Sequence, residues 1–258
     1  MPEHDLDLLK RIATGAGHIA RGFFEGANRV WEKGHDDPVS EADLAVDTYL
    51  RETLLAARPD YGWLSEETAD THNRLGARRL FIVDPIDGTR AFVAGEASWA
   101  HSLAVVEDGD PIAAVVFLPM KSRVYAAARN GGATCNGAPI TASSMPNADG
   151  ARVLASRPTF QDRFWKDGAP PIERHFRPSL AYRMSLVAEG RFDGMITLRD
   201  SWEWDIAAGA LIAAEAGALV SDRHGCPLRF NNPNPKTPGV LAAARGLHAD
   251  LADRLAIA

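Results

Sequence analysis

Acidic residues stand at four suggestive points of the chain: Asp43, the pair Glu66-Glu67, Asp84 with Asp87, and Asp205. Asp84 and Asp87 lie in the segment Asp84-Pro85-Ile86-Asp87-Gly88-Thr89, directly after the apolar run Leu80 to Val83. A buried strand would therefore end by presenting two carboxylates. Glu66-Glu67 follows the turn-like Pro59-Asp60-Tyr61-Gly62, and Asp205 follows Trp202-Glu203-Trp204 and precedes an alanine-rich stretch. Carboxylates drawn from separate segments suit metal-assisted hydrolysis. Magnesium is a hard ion that takes oxygen ligands and keeps some of its waters. Two or more such ions can activate water on one side and stabilise the leaving oxygen on the other. Pro85 fixes its own φ and restricts Asp84, which aims the first carboxylate. Gly88 permits a tight turn, and a helix begun over Thr89 to Phe92 would offer free N–H groups to a phosphate. Metals and phosphate could then share one loop.

Taken singly, each acid also has an ordinary role. Ser40 and Asp43 have the spacing of a capping box, and Asp205 could cap the helix it precedes. Glu66-Glu67 could be a solvated turn, and Asp87-Gly88 after Pro-Ile could be a plain turn. His101 in an apolar run reads as a packed histidine, and Trp202 and Trp204 as core or rim. Only the combination favours chemistry.

The elements that must position these residues are those of an ordinary globular chain. It has 258 residues, 46% hydrophobic and 24% charged, enough for one large domain or two joined subdomains. Its net charge of −6 gives no footprint for a nucleic-acid polymer or an anionic lipid surface. An acidic protein that holds an anion needs cations or oriented backbone N–H groups. Cys135 and Cys226 form no CxxC or Cys/His cluster, which argues against structural zinc, and so low a cysteine count fits a reducing cytoplasm. Met1 to Lys10 is polar and acidic, unlike a signal peptide. The apolar stretch Ile206 to Ala214 falls far short of the ~20 residues of a membrane span.

Leu9, Ile12, Ala16, Ile19 and Phe23 recur at helical spacing, and a second helix is expected from Ser40 through Val46, Tyr49, Leu50 and Leu54. Strands are expected at Leu80 to Val83, His101 to Val106, Ile112 to Leu118 and Val124 to Ala128, as an antiparallel meander turning at Asp108-Gly109. Pro139 to Gly150 lacks periodicity and reads as a joint. Beyond it come a strand at Arg152 to Ala155, a helix over Ser179 to Ala188, a strand at Phe192 to Leu198, a helix over Asp205 to Ala216 and a strand at Val240 to Ala243. The fold class is thus α/β, a layered α+β sandwich. Residues 1–145 are expected to form an α+β half carrying the metal and phosphate motif. Residues 146–258 are expected to form an α/β half that completes the site.

Asp84-Pro85-Ile86-Asp87-Gly88-Thr89-Arg90-Ala91-Phe92 resembles the signature of the inositol monophosphatase superfamily, the lithium-sensitive, magnesium-dependent phosphatases. Trp204-Asp205-Ile206-Ala207-Ala208-Gly209, with Glu215-Ala216-Gly217 after it, resembles that family's second motif, and Ser65-Glu66-Glu67-Thr68 its preceding acidic pair. The resemblance implies a layered fold, a homodimer and two or three Mg2+ ions. It implies Glu66, Asp84 and the Ile86 carbonyl as ligands of one ion, and Asp84, Asp87 and Asp205 as ligands of a second. Glu66 rather than Glu67 is expected to be the ligand. Thr89, aided by Asp43, would orient the attacking water, with Glu66 in the catalytic group. The backbone N–H groups of Gly88 and Thr89 would grip the phosphate, with Asp87 and Asp205 nearby at the substrate.

The implied substrate is a small soluble phosphate ester of the inositol-phosphate type. One departure bears on it: where relatives acting on inositol phosphates often carry a glutamate, seven residues before the second-motif aspartate, this chain has Leu198. Asp200 or Glu203 could take that part. The Glu203-Trp204-Asp205 form is similar to that of relatives acting on 3′-phosphoadenosine 5′-phosphate, and Gly88 to Phe92 to that of histidinol-phosphate phosphatases. Ser179 to Arg183 and Arg199 to Glu203 are expected to shape the alcohol pocket. Arg183 could meet a second phosphate there, or be a surface or inter-helix arginine. The other classes weighed are a catalytically silent metal- or ligand-binding protein and a two-carboxylate glycosidase.

Overall fold

A computed structural model describes residues 2–34 and 37–256. Six helices run through them: α1 (Pro2–Phe24), α2 (Glu41–Ala57), α3 (Thr89–Val93), α4 (Leu180–Ala188), α5 (Glu203–Glu215) and α6 (Arg245–Arg254). β1 (Val30–Gly34) and β2 (Asp37–Ser40) form an antiparallel ribbon before α2. β3 (Gly62–Ser65), β4 (Arg79–Asp87), β5 (Ala100–Glu107), β6 (Asp110–Leu118), β7 (Arg123–Ala128), β8 (Ala133–Cys135) and β9 (Ala138–Pro139) lie in chain order across one seven-stranded sheet. The β3–β4 pair is parallel and the others antiparallel. After an irregular stretch come β10 (Arg152–Leu154), β11 (Glu173–His175), β12 (Gly194–Thr197), β13 (Ser201–Trp202), β14 (Leu219–Ser221), β15 (Lys236–Thr237) and β16 (Val240–Ala243). Five of these form a mixed sheet in the order β11-β10-β12-β16-β14, and β13 pairs with β15.

The layering follows from strands that are apolar on both faces, as strands covered on both sides must be. On β4, Phe81 and Val83 face one way, with Leu9, Ile12, Val46 and Leu50 of α1 and α2. Leu80 and Ile82, of opposite parity, face Met184, Leu186, Ile206 and Ile212 of α4 and α5. That middle layer also packs on Leu154, Met195, Val240 and Ala242 of the five-stranded sheet, whose alternate residues Val153, Ile196, Leu241 and Ala243 meet Leu247 and Leu251 of α6. Helix, sheet, helix, sheet and helix thus stack as five layers. The side chains of α5 are buried almost all round, as expected for a helix between two sheets.

Every helix and strand expected in the sequence is present, with shifted ends. β4 runs four residues beyond Val83, to Asp87. Several elements had no sequence signal: the β1–β2 ribbon, β3, α6 and strands of two or three residues such as β8, β11 and β14. A strand that short has too few residues to display a period. α6 is polar over much of its length and shows its apolar face only through Leu247 and Leu251. Cys135 and Cys226 are both free thiols, the first buried and the second exposed.

Candidate metal and phosphate site

The site forms where β4 departs from regular pairing. Asp84 pairs with Ser102 and Asp87 with Ala100, so Pro85 and Ile86 together oppose His101 alone. This is a bulge; it bends the strand and redirects its side chains. The Asp84 carboxylate accepts the Ile86 N–H at 2.9 Å, which ties the turn to itself. Nδ1 of the fully buried His101 is bonded to the Pro85 carbonyl. Burial lowers the His101 pKa to about 4, so the ring is neutral at ordinary pH. Gly88 follows with φ of 105°, a conformation in which a side chain is strained, and α3 starts at once.

Around this turn the structure gathers Glu66, Asp84 and Asp205, each offering an oxygen within 4.8 Å of the others. Glu67 is outside that group. Glu66 arrives from the end of β3, where its N–H meets the Val83 carbonyl at 3.3 Å. The loop is anchored by Asp47 of α2, which accepts the Ser65 hydroxyl at 2.5 Å and the Thr68 hydroxyl at 2.8 Å. Asp205 arrives with the first turn of α5. Ser102, the ladder partner of Asp84, donates its hydroxyl to the Trp204 carbonyl at 2.9 Å and so docks that turn against β4.

The electrostatics are those of crowded acids. Burial first, then the charges of Glu66, Asp87, Asp205 and Asp43, push the Asp84 pKa well above the carboxylate range. Asp205 is raised well above it too, by burial and by Asp87 and Glu66, against the opposing pull of Arg199 and a hydrogen bond with Asp84. Such a set fits cations. All its donors are oxygens, which favours a hard ion such as Mg2+ over zinc or copper.

Asp87 is placed differently. Its carboxylate accepts the Ser179 hydroxyl at 2.6 Å, the Ala181 N–H at 2.6 Å and the Leu180 N–H at 3.3 Å, so it caps α4. Burial raises its pKa while these donors and Arg183 lower it. Three of the roughly four lone-pair sites of a carboxylate are thus occupied, leaving one.

Thr89 Oγ1 lies 3.2 Å from both Asp43 Oδ1 and the Ile86 carbonyl. The other Asp43 oxygen accepts the Ser40 N–H at 2.9 Å and the Ser40 hydroxyl at 2.6 Å. The capping box and the link to Thr89 therefore coexist on one carboxylate. Among the described residues no backbone acceptor takes the N–H of Gly88 or Thr89.

The two acids considered as stand-ins at the alcohol side are placed differently, Glu203 buried and Asp200 exposed. Glu203 is fully buried and accepts from Asn231 N at 2.7 Å, Asn232 N at 2.9 Å and Asn232 Nδ2 at 2.7 Å. Asp200 is ion-paired with Arg223 at 3.6 Å. Leu198 is itself buried. Sequence reasoning passed over Asp47, Ser102 and Arg74. A signal existed for Asp47, since it follows Asp43 by four residues and shares the inward face of α2 with Val46, Leu50 and Leu54. Arg74, also buried, bonds Asp70 of the loop after Glu66 at 2.7 Å, and Asn231 at 2.6 Å and the Asn232 carbonyl at 2.9 Å. Nothing in its local sequence announces that.

A model of the inositol monophosphatase family matches residues 1–257. The chain is 36% identical over 229 residues to the inositol-1-monophosphatase of Rhizobium meliloti (strain 1021), covering 84% of this chain and 85% of the relative. It is 29% identical over 256 residues to the 3′(2′),5′-bisphosphate nucleotidase CysQ of Aggregatibacter actinomycetemcomitans, covering 90% and 91%. Among solved structures it resembles the Thermotoga maritima IMPase with a TM-score of 0.82 and 27% identity, over 98% of this chain and 96% of that one.

Proposed function

The chain belongs to the inositol monophosphatase family, whose members are phosphoric monoester hydrolases, and from that premise we propose that it hydrolyses a small soluble phosphate monoester in the presence of magnesium. The observation that carries the reading is the convergence of Glu66, Asp84 and Asp205 oxygens within 4.8 Å. Glu66, Asp84, Asp205, the Ile86 carbonyl and the remaining lone pair of Asp87 would hold two or three ions. When bound, magnesium supplies Lewis acidity that favours ionisation of water and offsets the charge of the phosphate.

The chain's own residues do the rest. The N–H groups of Gly88 and Thr89 donate to the phosphate oxygens, which is how an acidic protein grips a dianion. The Thr89 hydroxyl, backed by Asp43, accepts a hydrogen bond from the attacking water and orients it; Asp43 and Glu66 are the nearby carboxylates able to take its proton. The buried face of β4 and the aromatic packing of Phe92, Trp99 and His101 keep the loop rigid.

Two relatives bracket the ester: the closeness to an inositol-1-monophosphatase favours a polyol phosphate, and that to a bisphosphate nucleotidase favours a nucleotide. Lithium inhibition, a homodimer and a cytoplasmic location belong to the same proposal. Among the described residues no helix is long and apolar enough to cross a membrane. The test is release of inorganic phosphate from inositol 1-phosphate, adenosine 3′,5′-bisphosphate and histidinol phosphate, with magnesium and with a chelator. Turnover that requires magnesium and is lost on lithium addition is expected. Turnover unaffected by the chelator, or none with any ester, overturns the proposal.

A further inference from the structure

We propose that His101, as the tautomer protonated on Nδ1, is the positioning residue for Asp84: it clamps the Pro85–Ile86 peptide, whose N–H holds that carboxylate, and so fixes the orientation of a magnesium ligand. This rests on the magnesium site of the phosphatase reading above and adds a residue to it.

The Pro85 carbonyl and the Ile86 N–H belong to one peptide unit, which is planar and turns as a body. His101 Nδ1 is bonded to the carbonyl end. Asp84 Oδ1 accepts from the N–H end at 2.9 Å. The unit is thus held from both sides, by a side chain of β5 and by a proposed ion ligand. A hydrogen bond accepted by the carbonyl also polarises the peptide and strengthens donation by its N–H. A tilt of this plane would carry Asp84 Oδ1 with it. It would also shift the next carbonyl, that of Ile86, where Thr89 Oγ1 lies at 3.2 Å.

The bulge explains why a side chain takes this part. Asp84 pairs with Ser102 and Asp87 with Ala100, so His101 alone opposes Pro85 and Ile86. A bulge leaves its extra residue without a regular ladder partner. Pro85 has no N–H to add to the ladder. His101 stands opposite that irregularity, where an imidazole reaches the Pro85 carbonyl.

The ring's surroundings fix its tautomer. A carbonyl only accepts, so the ring nitrogen beside it carries the proton. Nε2 is buried and meets no hydrogen-bond partner among the described residues. With the proton on Nε2 instead, two lone pairs would face each other at Pro85 and a buried donor would be stranded. The rings of Trp99 and Phe117, with centroids 5.5 and 6.1 Å away, wall the imidazole in. A side chain that only filled this space would do so as well with carbon there. Burying a polar ring edge is costly, and the bond to the carbonyl offsets that cost.

The test uses three variants and the metal-free wild type. The side-chain amide in His101→Asn places an N–H where Nδ1 stands, and that in His101→Gln where Nε2 stands. His101→Leu fills the space with no donor. Partners that orient a metal ligand are worth about 10–100-fold in ion affinity. His101→Leu is expected to raise the magnesium Kd by about that factor in calorimetry. His101→Gln should fall close to it and His101→Asn close to the wild type. Should His101→Leu fail to fold, His101→Asn and His101→Gln carry the comparison. In the metal-free wild type, nitrogen NMR shifts should show His101 protonated on Nδ1 and bare on Nε2. The other tautomer, an unchanged magnesium Kd in His101→Leu, or equal Kd values in His101→Asn and His101→Gln overturns the proposal.

None of these readouts needs turnover. A wild type that binds magnesium but releases no phosphate sinks the phosphatase reading alone, and one that binds no magnesium sinks both.

Discussion

Glu203 and Asp205 stand two residues apart at the start of α5, and their surroundings are opposite. Glu203 is wrapped by donors from Asn231 and Asn232, with Arg74 close by, and the resulting knot ties α5 to the loops after Glu66 and before β15. Asp205 faces other acids. Burial raises the pKa of both, but donors counter the rise at Glu203, and at Asp205 Asp87 and Glu66 add to it. Burial of a carboxylate is therefore not the mark of a functional site. The mark is a buried carboxylate whose nearest partners are more carboxylates, an arrangement that only a cation or a proton makes tolerable.

The sharpest way to break this contrast is to neutralise one acid of the cluster. Asp205→Asn or Asp84→Asn should lower kcat/KM by about 10²–10³-fold, the scale for loss of one preorganised electrostatic group. The same change should leave the metal-free melting temperature equal or higher, because it removes repulsion. A lower metal-free melting temperature would count against the acid-on-acid reading. Next in size, Thr89→Val should cost about 10²-fold in kcat while Thr89→Ser keeps most of the activity, since only the hydroxyl is proposed to act. Equal loss in both variants would assign Thr89 to packing instead.

Glu203→Ala should do the reverse of the cluster variants. It strands two backbone N–H groups and an amide, at about 1–3 kcal/mol for each one left unpaired, and should lower stability in urea unfolding while magnesium still raises the melting temperature. A variant as stable as the wild type would dissolve the contrast.

Magnesium itself sharpens the comparison through pH. Asp84 and Asp205 have folded pKa values above their unfolded ones, so between those values the folded state binds more protons than the unfolded state. Stability of the metal-free protein then falls as pH rises through that window, and it is greatest on the acid side of it. Magnesium replaces those protons. Its stabilising effect, about 2.7 kcal/mol at a hundred times its Kd, should be larger near about pH 8 than near about pH 5.5. A melting-temperature gain independent of pH would show that ions bind elsewhere. The smallest effect is expected for Ser102→Ala, about 1 kcal/mol of stability for the lost bond to Trp204.

Much of this was legible before any coordinates. The alternating parities of β4, the capping box at Ser40 and the alanine-rich α5 have periods long enough to read. The resemblance carried by Ser65 to Thr68, Asp84 to Phe92 and Trp204 to Gly209 points to Glu66, Asp84, Asp87 and Asp205 together; Glu66, Asp84 and Asp205 converge in space, whereas Asp87 lies outside that group and is bonded to the start of α4. Less legible were the supports. Arg74 reaches Asn231 across 157 residues, and Ser102 reaches Trp204 across 102, distances over which no local pattern extends. That Glu203, offered with Asp200 as an alternative for the alcohol side, accepts three donors within the fold was hidden for the same reason, since its partners Asn231 and Asn232 come from a loop 28 and 29 residues away.

By itself, then, the order of residue types determined the layers and the acids. Hydrophobic period and backbone restrictions at Pro85 and Gly88 are local properties that survive in a one-dimensional reading. Only the tertiary structure decided which acid is held by donors and which is left facing its own kind, and that Arg183 is buried with its guanidinium turned onto the Arg177 and Pro178 carbonyls. Those outcomes depend on where distant hydrogen-bonding groups arrive when the sheets and helices pack, and solvent exclusion there sets the energy of every charge.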